Sequence, residues 1–242
     1  MILQDYWSKT RRPLYSLTLA LPLLLLYEGS AALMSQGAHA SVRNGAGVLL
    51  KTLFLAAGGR TGLLVFGLAL LGGGAYAVWH DVRKHPSHLY PGVWVFMLGE
   101  CILYAAVLGS VVANLTGLLL PNASVQGATF EQLPLATQLV VSLGAGLYEE
   151  LLFRVLLVSG LILMGKRLGL KKAANIAAAI GLSALIFSAF HYIGPYGDTL
   201  TAPSFMFRAI AGVLLSGLYV ARGFGIAAWT HAMYDIGLAL QW

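Results

Sequence analysis

Glu149-Glu150-Leu151-Leu152-Phe153-Arg154 sets two carboxylates and a guanidinium in the middle of an apolar run that begins near Pro134 and continues to Met164. A charged group at bilayer depth costs about 3 kcal/mol even on insertion scales, so such groups are rare there and usually functional. On an α-helix of about 100° per residue, Glu150 and Arg154 form an i,i+4 pair on one face, and Glu149 points about 140° away from Arg154. The expectation is a buried Glu150–Arg154 pair that fixes the helix, with Glu149 left free for chemistry.

The rest of the chain supports a membrane setting for that run. Of its 242 residues, 58% are hydrophobic and only 10% are charged, with a mean hydropathy of +0.78. A soluble domain carries about 25% charged residues, so this composition indicates an integral membrane protein. The short alternating segments of a β-barrel are absent. The fold expected is therefore all-α, a polytopic transmembrane helix bundle forming one domain over residues 1–242. The formal charge of +6 does not point to nucleic acid, because the basic residues cluster at the ends of apolar runs, where the positive-inside rule uses them. A single cysteine, Cys101, excludes an internal disulfide framework and a cysteine metal pair. Five of the nine acids, Glu28, Glu100, Glu149, Glu150 and Asp235, lie inside apolar runs, the reverse of a solvated surface.

Taken outward from the acidic pair, the pattern predicts about seven spans, within a range of six to eight. They run roughly over 14–34, 61–79, 92–120, 134–163, 173–193, 204–221 and 225–241. The first could be read as a cleaved signal peptide, because Ala38-His39-Ala40 resembles a cleavage site; the resumption of apolar character over 31–34 favours a retained helix. Val48 to Ala57 suits an interfacial amphipathic helix. His80, His85 and His88 invite a metal reading, against which a solvated loop is the simpler account, with Asp81 the only acid near them. The basic N-terminus, the 80–91 and 165–172 loops and Arg222 are expected on the cytoplasmic side. No internal repeat supports a transporter built from inverted halves.

Two further polar faces follow the acidic pair. Phe187 and His191 share a face at the end of the fifth span, and His231 and Asp235 share one in the seventh. A lone buried histidine is commonly a hydrogen-bonded core residue, and a single Glu–Arg pair can be a helix staple. In lipid those plain readings weaken, because an unpaired polar group costs several kcal/mol.

The ordered set Glu149-Glu150…Arg154, Phe187…His191 and His231…Asp235 resembles the CPBP family, which includes the type II CAAX prenyl endopeptidases and their bacterial "Abi" relatives. The resemblance covers about residues 134–241, the catalytic helices; residues 1–133 carry no signature. Asp235 stands where the prenyl-protein proteases usually carry Asn, so the resemblance bears more firmly on the reaction than on a prenylated substrate. It implies peptide-bond hydrolysis within the membrane, on a membrane-anchored or hydrophobic peptide. Glu149 then suits the general base that activates a water, with His191 holding that water and His231 donating to the oxyanion. Asp235 would orient His231, Arg154 would neutralise Glu150, and Phe187 would touch substrate. Glu150 could also help bind the water. Glu149, His191 and His231 equally form a His₂Glu set suited to catalytic zinc, but the missing His-x-x-x-His spacing favours a metal-free site. Glu28 and Glu100 could line a cavity, and Arg208 is expected to snorkel to the interface. The competing functions are a non-catalytic immunity or adaptor protein and a proton-coupled transporter. The expected location is a bacterial cytoplasmic membrane.

Overall fold

The computed structural model describes residues 3–34, 43–86, 90–120, 130, 132–194 and 197–241. Among them every regular element is helical: α1 (Leu3–Thr10), α2 (Pro13–Met34), α3 (Gly45–Lys84), α4 (Pro91–Leu119) and α5 (Leu135–Gly144), then a π-helical segment (Ala145–Val158), and α6 (Ser159–Arg167), α7 (Lys172–Phe190), α8 (Ala202–Arg222) and α9 (Phe224–Leu240). The all-α polytopic bundle read from the apolar runs is the observed architecture. Five of the helices, α2, α3, α4, α7 and α8, are each long and apolar enough to cross a membrane. The run 135–167 is continuous in helical dihedrals but changes type twice, and α9 has 17 residues. Exposed Leu25, Leu33, Leu68, Phe96 and Leu118 make an apolar outer surface that lipid, not water, accommodates.

α9 is the centre of the bundle, packed by α2, α4, α5, α8 and the π segment. Lipid tails are as apolar as leucine, so helices associate in a membrane through close backbone approach at small residues. α9 fits that rule: Gly225, Ala227, Ala228, Ala232 and Gly237 are all buried. Opposite them, a Cβ on Gly146 would lie 2.4 Å from the Ala228 carbonyl oxygen and 2.6 Å from Ala232 Cβ. Any larger residue at 146 would push the π segment off α9. α2 is part of this core, burying Tyr15, Leu19, Leu23 and Tyr27. It receives the Gly225 amide on Ser16 Oγ at 2.9 Å and the Trp229 indole N–H on the Leu19 carbonyl at 2.7 Å. The first apolar run thus builds the bundle, while the Ala38–Ala40 stretch lies outside the described residues.

α3 departs from the expected interfacial helix. Gly58 and Gly59 break it, Gly59 at φ 57°, a left-handed conformation that only glycine adopts without strain. The part before the break turns inward: Ala46 and Leu50 pack with Leu23, Tyr27, Leu147 and Tyr148. Glycine at 45 and 47 permits this, since a Cβ on Gly47 would meet the Tyr148 ring at 3.0 Å. Beyond the break α3 packs loosely, and a cavity of about 890 Å³ opens between it, α2, the π segment and the end of α8. Leu21, Leu71, Leu147, Leu151 and Phe224 are among its walls.

At one end of the bundle the charged groups pair. Arg12 donates to Asp81 at 3.0 Å, and Asp81 also accepts the Leu14 amide and faces His85 Nδ1 at 3.3 Å. Asp81 is thereby spent on joining α2 to α3; His88 lies outside the described residues. Arg222, expected as a cytoplasmic loop cation, is instead buried and donates to both oxygens of Glu100 at 2.6 and 2.7 Å. Tyr6 and Thr10 complete the cluster at 2.8 and 2.9 Å. Glu100 therefore bolts α4 to the end of α8 and to α1 rather than lining a cavity.

Candidate active site

The π segment decides how the acidic pair is presented. Its hydrogen bonds run i→i+5, which widens each turn and reduces the angle between successive side chains. Glu149 and Glu150 consequently both face inward, and Glu149, Glu150, Phe153 and Arg154 are all buried. The α-helical expectation, with Glu149 turned away from Arg154, fails for this reason. The expected Glu150–Arg154 pair is present: Arg154 Nη1 lies 3.1 Å from Glu150 Oε1, both side chains wholly buried. The guanidinium lies over the Phe187 ring, 4.4 Å from its centroid.

Three elements bring the remaining groups to Glu149. α7 stops at Phe190, and His191 is its C-cap. The His191 Nδ1–H donates to the Phe187 carbonyl at 2.9 Å, so Nε2 is the ring nitrogen left to face Glu149, 3.9 Å from Oε2. His231 lies two turns into α9, where its Nδ1–H donates to Glu150 Oε1 at 2.7 Å and its Nε2 lies 3.9 Å from the same Glu149 Oε2. Asp235 Oδ2 is 3.5 Å from His231 Nε2, beyond ordinary hydrogen-bond length. Asn44 supplies the third contact, its Nδ2 donating to Glu149 Oε1 at 2.7 Å.

The three groups predicted to meet do meet, although the sequence sets His191 at the end of the fifth span and His231 within the seventh. The early stop of α7 and the central position of His231 in the short α9 reconcile them. α7 runs unbroken through Gly181. Two other expectations are corrected. His231 is held by Glu150 rather than by Asp235, because the widened π turn carries Glu150 to within 2.7 Å of Nδ1. Phe187, expected against substrate, is 3% exposed and packs edge-on against Phe153 and His191, a wall behind the histidines.

Glu149 Oε2 is buried and, among the described residues, has no hydrogen-bond partner. At 3.9 Å neither histidine nitrogen bonds to it directly, and a gap of that width is what one bridging water spans. Side-chain exposure rises from Glu149 (9%) and His231 (6%) to Asp235 (23%) and His191 (25%), so the cluster is more accessible on the side of the last two. The apolar cavity beside α3 is walled by Leu147 and Leu151, on the other side of the π segment from the carboxylates.

The surrounding charges were not legible as partners. Glu28 pairs with Lys51 at 2.7 Å and accepts from the Tyr148 hydroxyl, with Arg43 at 3.9 Å. Arg208 does not snorkel; it pairs with Asp198 and bonds Ser204, while the Asp198 amide donates to the His191 carbonyl at 3.0 Å. Asn44 precedes the glycine-rich start of α3, and its side chain accepts from the Ala46 and Gly47 amides. The cap was recoverable from the sequence; its reach to a residue 105 positions away was not.

As zinc donors, Glu149, His191 and His231 are the right chemistry. Bonds of about 2.0–2.1 Å in a tetrahedron put donor atoms about 3.4 Å apart, closer than the 3.9 Å observed on both edges that include Glu149. Among the described residues no group of three or more His, Cys, Asp or Glu is arranged to hold a metal ion.

Residues 131–237 match the family described as Type II CAAX prenyl endopeptidase Rce1-like, a stretch that contains both glutamates, Arg154, Phe187, both histidines and Asp235 but not Asn44. No curated protein and no solved structure matches the chain. The part of this helix bundle that carries the acids and histidines gathered round Glu149 is therefore similar to the Rce1-like family of type II CAAX prenyl endopeptidases.

Proposed function

We propose that the protein hydrolyses a peptide bond of a membrane-anchored or hydrophobic substrate with a water activated by Glu149. The observation that carries this reading is the position of Glu149 Oε2, 3.9 Å from each of two histidine Nε2 atoms and without a protein partner among the described residues. In the reaction Oε2 takes a proton from the water, whose oxygen bonds to the substrate carbonyl carbon. The C–N bond then breaks, and the proton on Oε2 passes to the leaving nitrogen. His191 Nε2 can accept the water's second hydrogen because its Nδ1–H is committed to the Phe187 carbonyl. Doubly protonated, His231 keeps Nδ1–H on Glu150 and presents Nε2–H to the developing oxyanion. Arg154 holds Glu150 in place from the other side. Asp235 and His191 stand at the mouth, where substrate enters.

The family resemblance supports a substrate ending in a CAAX-type sequence, and the apolar outer surface supports a lipid bilayer as the setting. Membrane peptides from cells carrying wild type and Glu149→Gln test the reading: a precursor that accumulates only in the variant is expected. Identical peptide profiles, with both proteins inserted equally, would refute it. The zinc alternative assigns Glu149, His191 and His231 as ligands and the same bond as target. Stoichiometric zinc in the purified protein, lost together with cleavage on chelation, would favour that alternative over the metal-free reaction.

A further inference from the structure

Asn44 lies in the N-terminal half, outside the family match, yet it reaches the acid on which the proposed reaction turns. Its amide orientation is fixed by its own bonds. Oδ1 accepts the backbone N–H groups of Ala46 at 3.0 Å and Gly47 at 3.2 Å, a place no amide NH₂ could occupy, so Nδ2 must be the atom facing Glu149. That nitrogen is a donor only, at every stage of a reaction. An O–H on Glu149 Oε1 would meet an N–H head on, whereas Oε1 as a bare acceptor is satisfied at 2.7 Å.

We propose that Asn44 is a positioning residue for Glu149: by occupying Oε1 it leaves Oε2 as the oxygen that takes and returns the proton. This rests on the hydrolytic reading above. Oε2 is the oxygen 3.9 Å from both His191 and His231, so the selection puts the proton where the water lies. Asn44 itself neither gains nor loses a proton. The arrangement is stiff, because Asn44 is 3% exposed and the helix turn it caps is pressed against the site from two directions. Gly47 abuts the ring of Tyr148, the neighbour of Glu149, and Gly45 abuts Phe190, the neighbour of His191. One turn of α3 thereby sets both the base and the residue that holds its water. The N-terminal half is part of the catalytic unit and not merely its support.

Asn44→Ser separates this role from helix capping. Serine caps a helix about as well as asparagine, but it is too short to reach Glu149. With the full-length protein in proteoliposomes and a quenched fluorescent peptide ending in a farnesylated cysteine and three further residues, kcat is expected to fall about 10- to 100-fold. KM should stay within about twofold. Wild-type kcat in Asn44→Ser, or a raised KM with unchanged kcat, would overturn the inference while leaving the hydrolytic reading intact. Full activity of Glu149→Gln on the same peptide would end both. Where wild type leaves that peptide uncut, the readout is the Glu149 carboxylate stretch in infrared difference spectra, assigned by its loss in Glu149→Gln. A band that shifts in Asn44→Ser supports the inference, and one that stays in place overturns it.

Discussion

Among the described residues the pairs Glu100–Arg222 and Glu150–Arg154 both lie within the bundle, and they are built differently. At one end Arg222 spends Nε and Nη2 on the two oxygens of Glu100, and Tyr6 and Thr10 take up remaining capacity. In the pocket, Arg154 approaches Glu150 through Nη1 alone. Glu150 Oε2 and all three Arg154 nitrogens have no geometrically sound hydrogen bond among the described residues. The first pair is closed, with each charge answered by bonds within the cluster, as the economics of buried ions require. The second is open, and its carboxylate divides Oε1 between a cation and a histidine. A buried group left short of partners stores polar capacity that water or substrate can use. Completeness of bonding, more than burial, separates the bolt from the candidate site.

The sharpest way to break that contrast is to neutralise each region in turn. Glu149→Gln keeps an oxygen for Asn44 but removes the base, so cleavage should fall about 10²–10⁴-fold with no change in melting temperature. A comparable loss of stability in this variant would make the open pair structural after all. Arg222→Ala should do the opposite. It leaves the part-buried Glu100 with Tyr6 but without its cation, at a cost of about 3 kcal/mol, seen as a lower thermal midpoint in detergent, while molecules that remain folded still cleave. Replacing both Glu100 and Arg222 with methionine should restore most of that stability. Failure to do so would show that the pair contributes more than mutual neutralisation.

Smaller effects sharpen the boundary between the two regions. Arg208 holds the loop after α7 through Asp198, whose amide grips the His191 carbonyl. Arg208→Ala is expected to lower kcat about tenfold by loosening His191, with Arg208→Lys in between. Equal activity in all three proteins would remove this loop from the account. Asp235→Asn should cost least. Because Glu150 orients His231, activity should stay within about tenfold of wild type, against the ~10⁴-fold loss that follows when a histidine's orienting carboxylate is removed.

Much of the helical fold was written in the apolar runs, since a chain in lipid must satisfy its backbone within each span and so advertises its helices. Glu149, Glu150, Arg154, His191 and His231 stood out for the same reason, as polar groups where polarity is costly. What stayed hidden depended on contacts between distant segments. Nothing in Ala145-Gly-Leu-Tyr-Glu-Glu signals an i→i+5 turn, and the partner of His231 depends on that turn. Arg222 read as a loop cation because Glu100, its partner, is 122 positions away. Asn44 lies among residues 1–133, which carry no family signature, and only the inward fold of α3 brings it to Glu149. The local pattern names residues that could act; the pairing that makes one pair a bolt and the other a site is a property of the packed bundle.

The central claim is that Glu149 Oε2, His191 Nε2 and His231 Nε2 surround one water. A high-resolution experimental map of the protein in lipid tests it most directly. The account predicts a single light-atom peak within hydrogen-bond distance of all three atoms. Side chains turned away from one another, or a metal-strength peak bonded to the three, would contradict it.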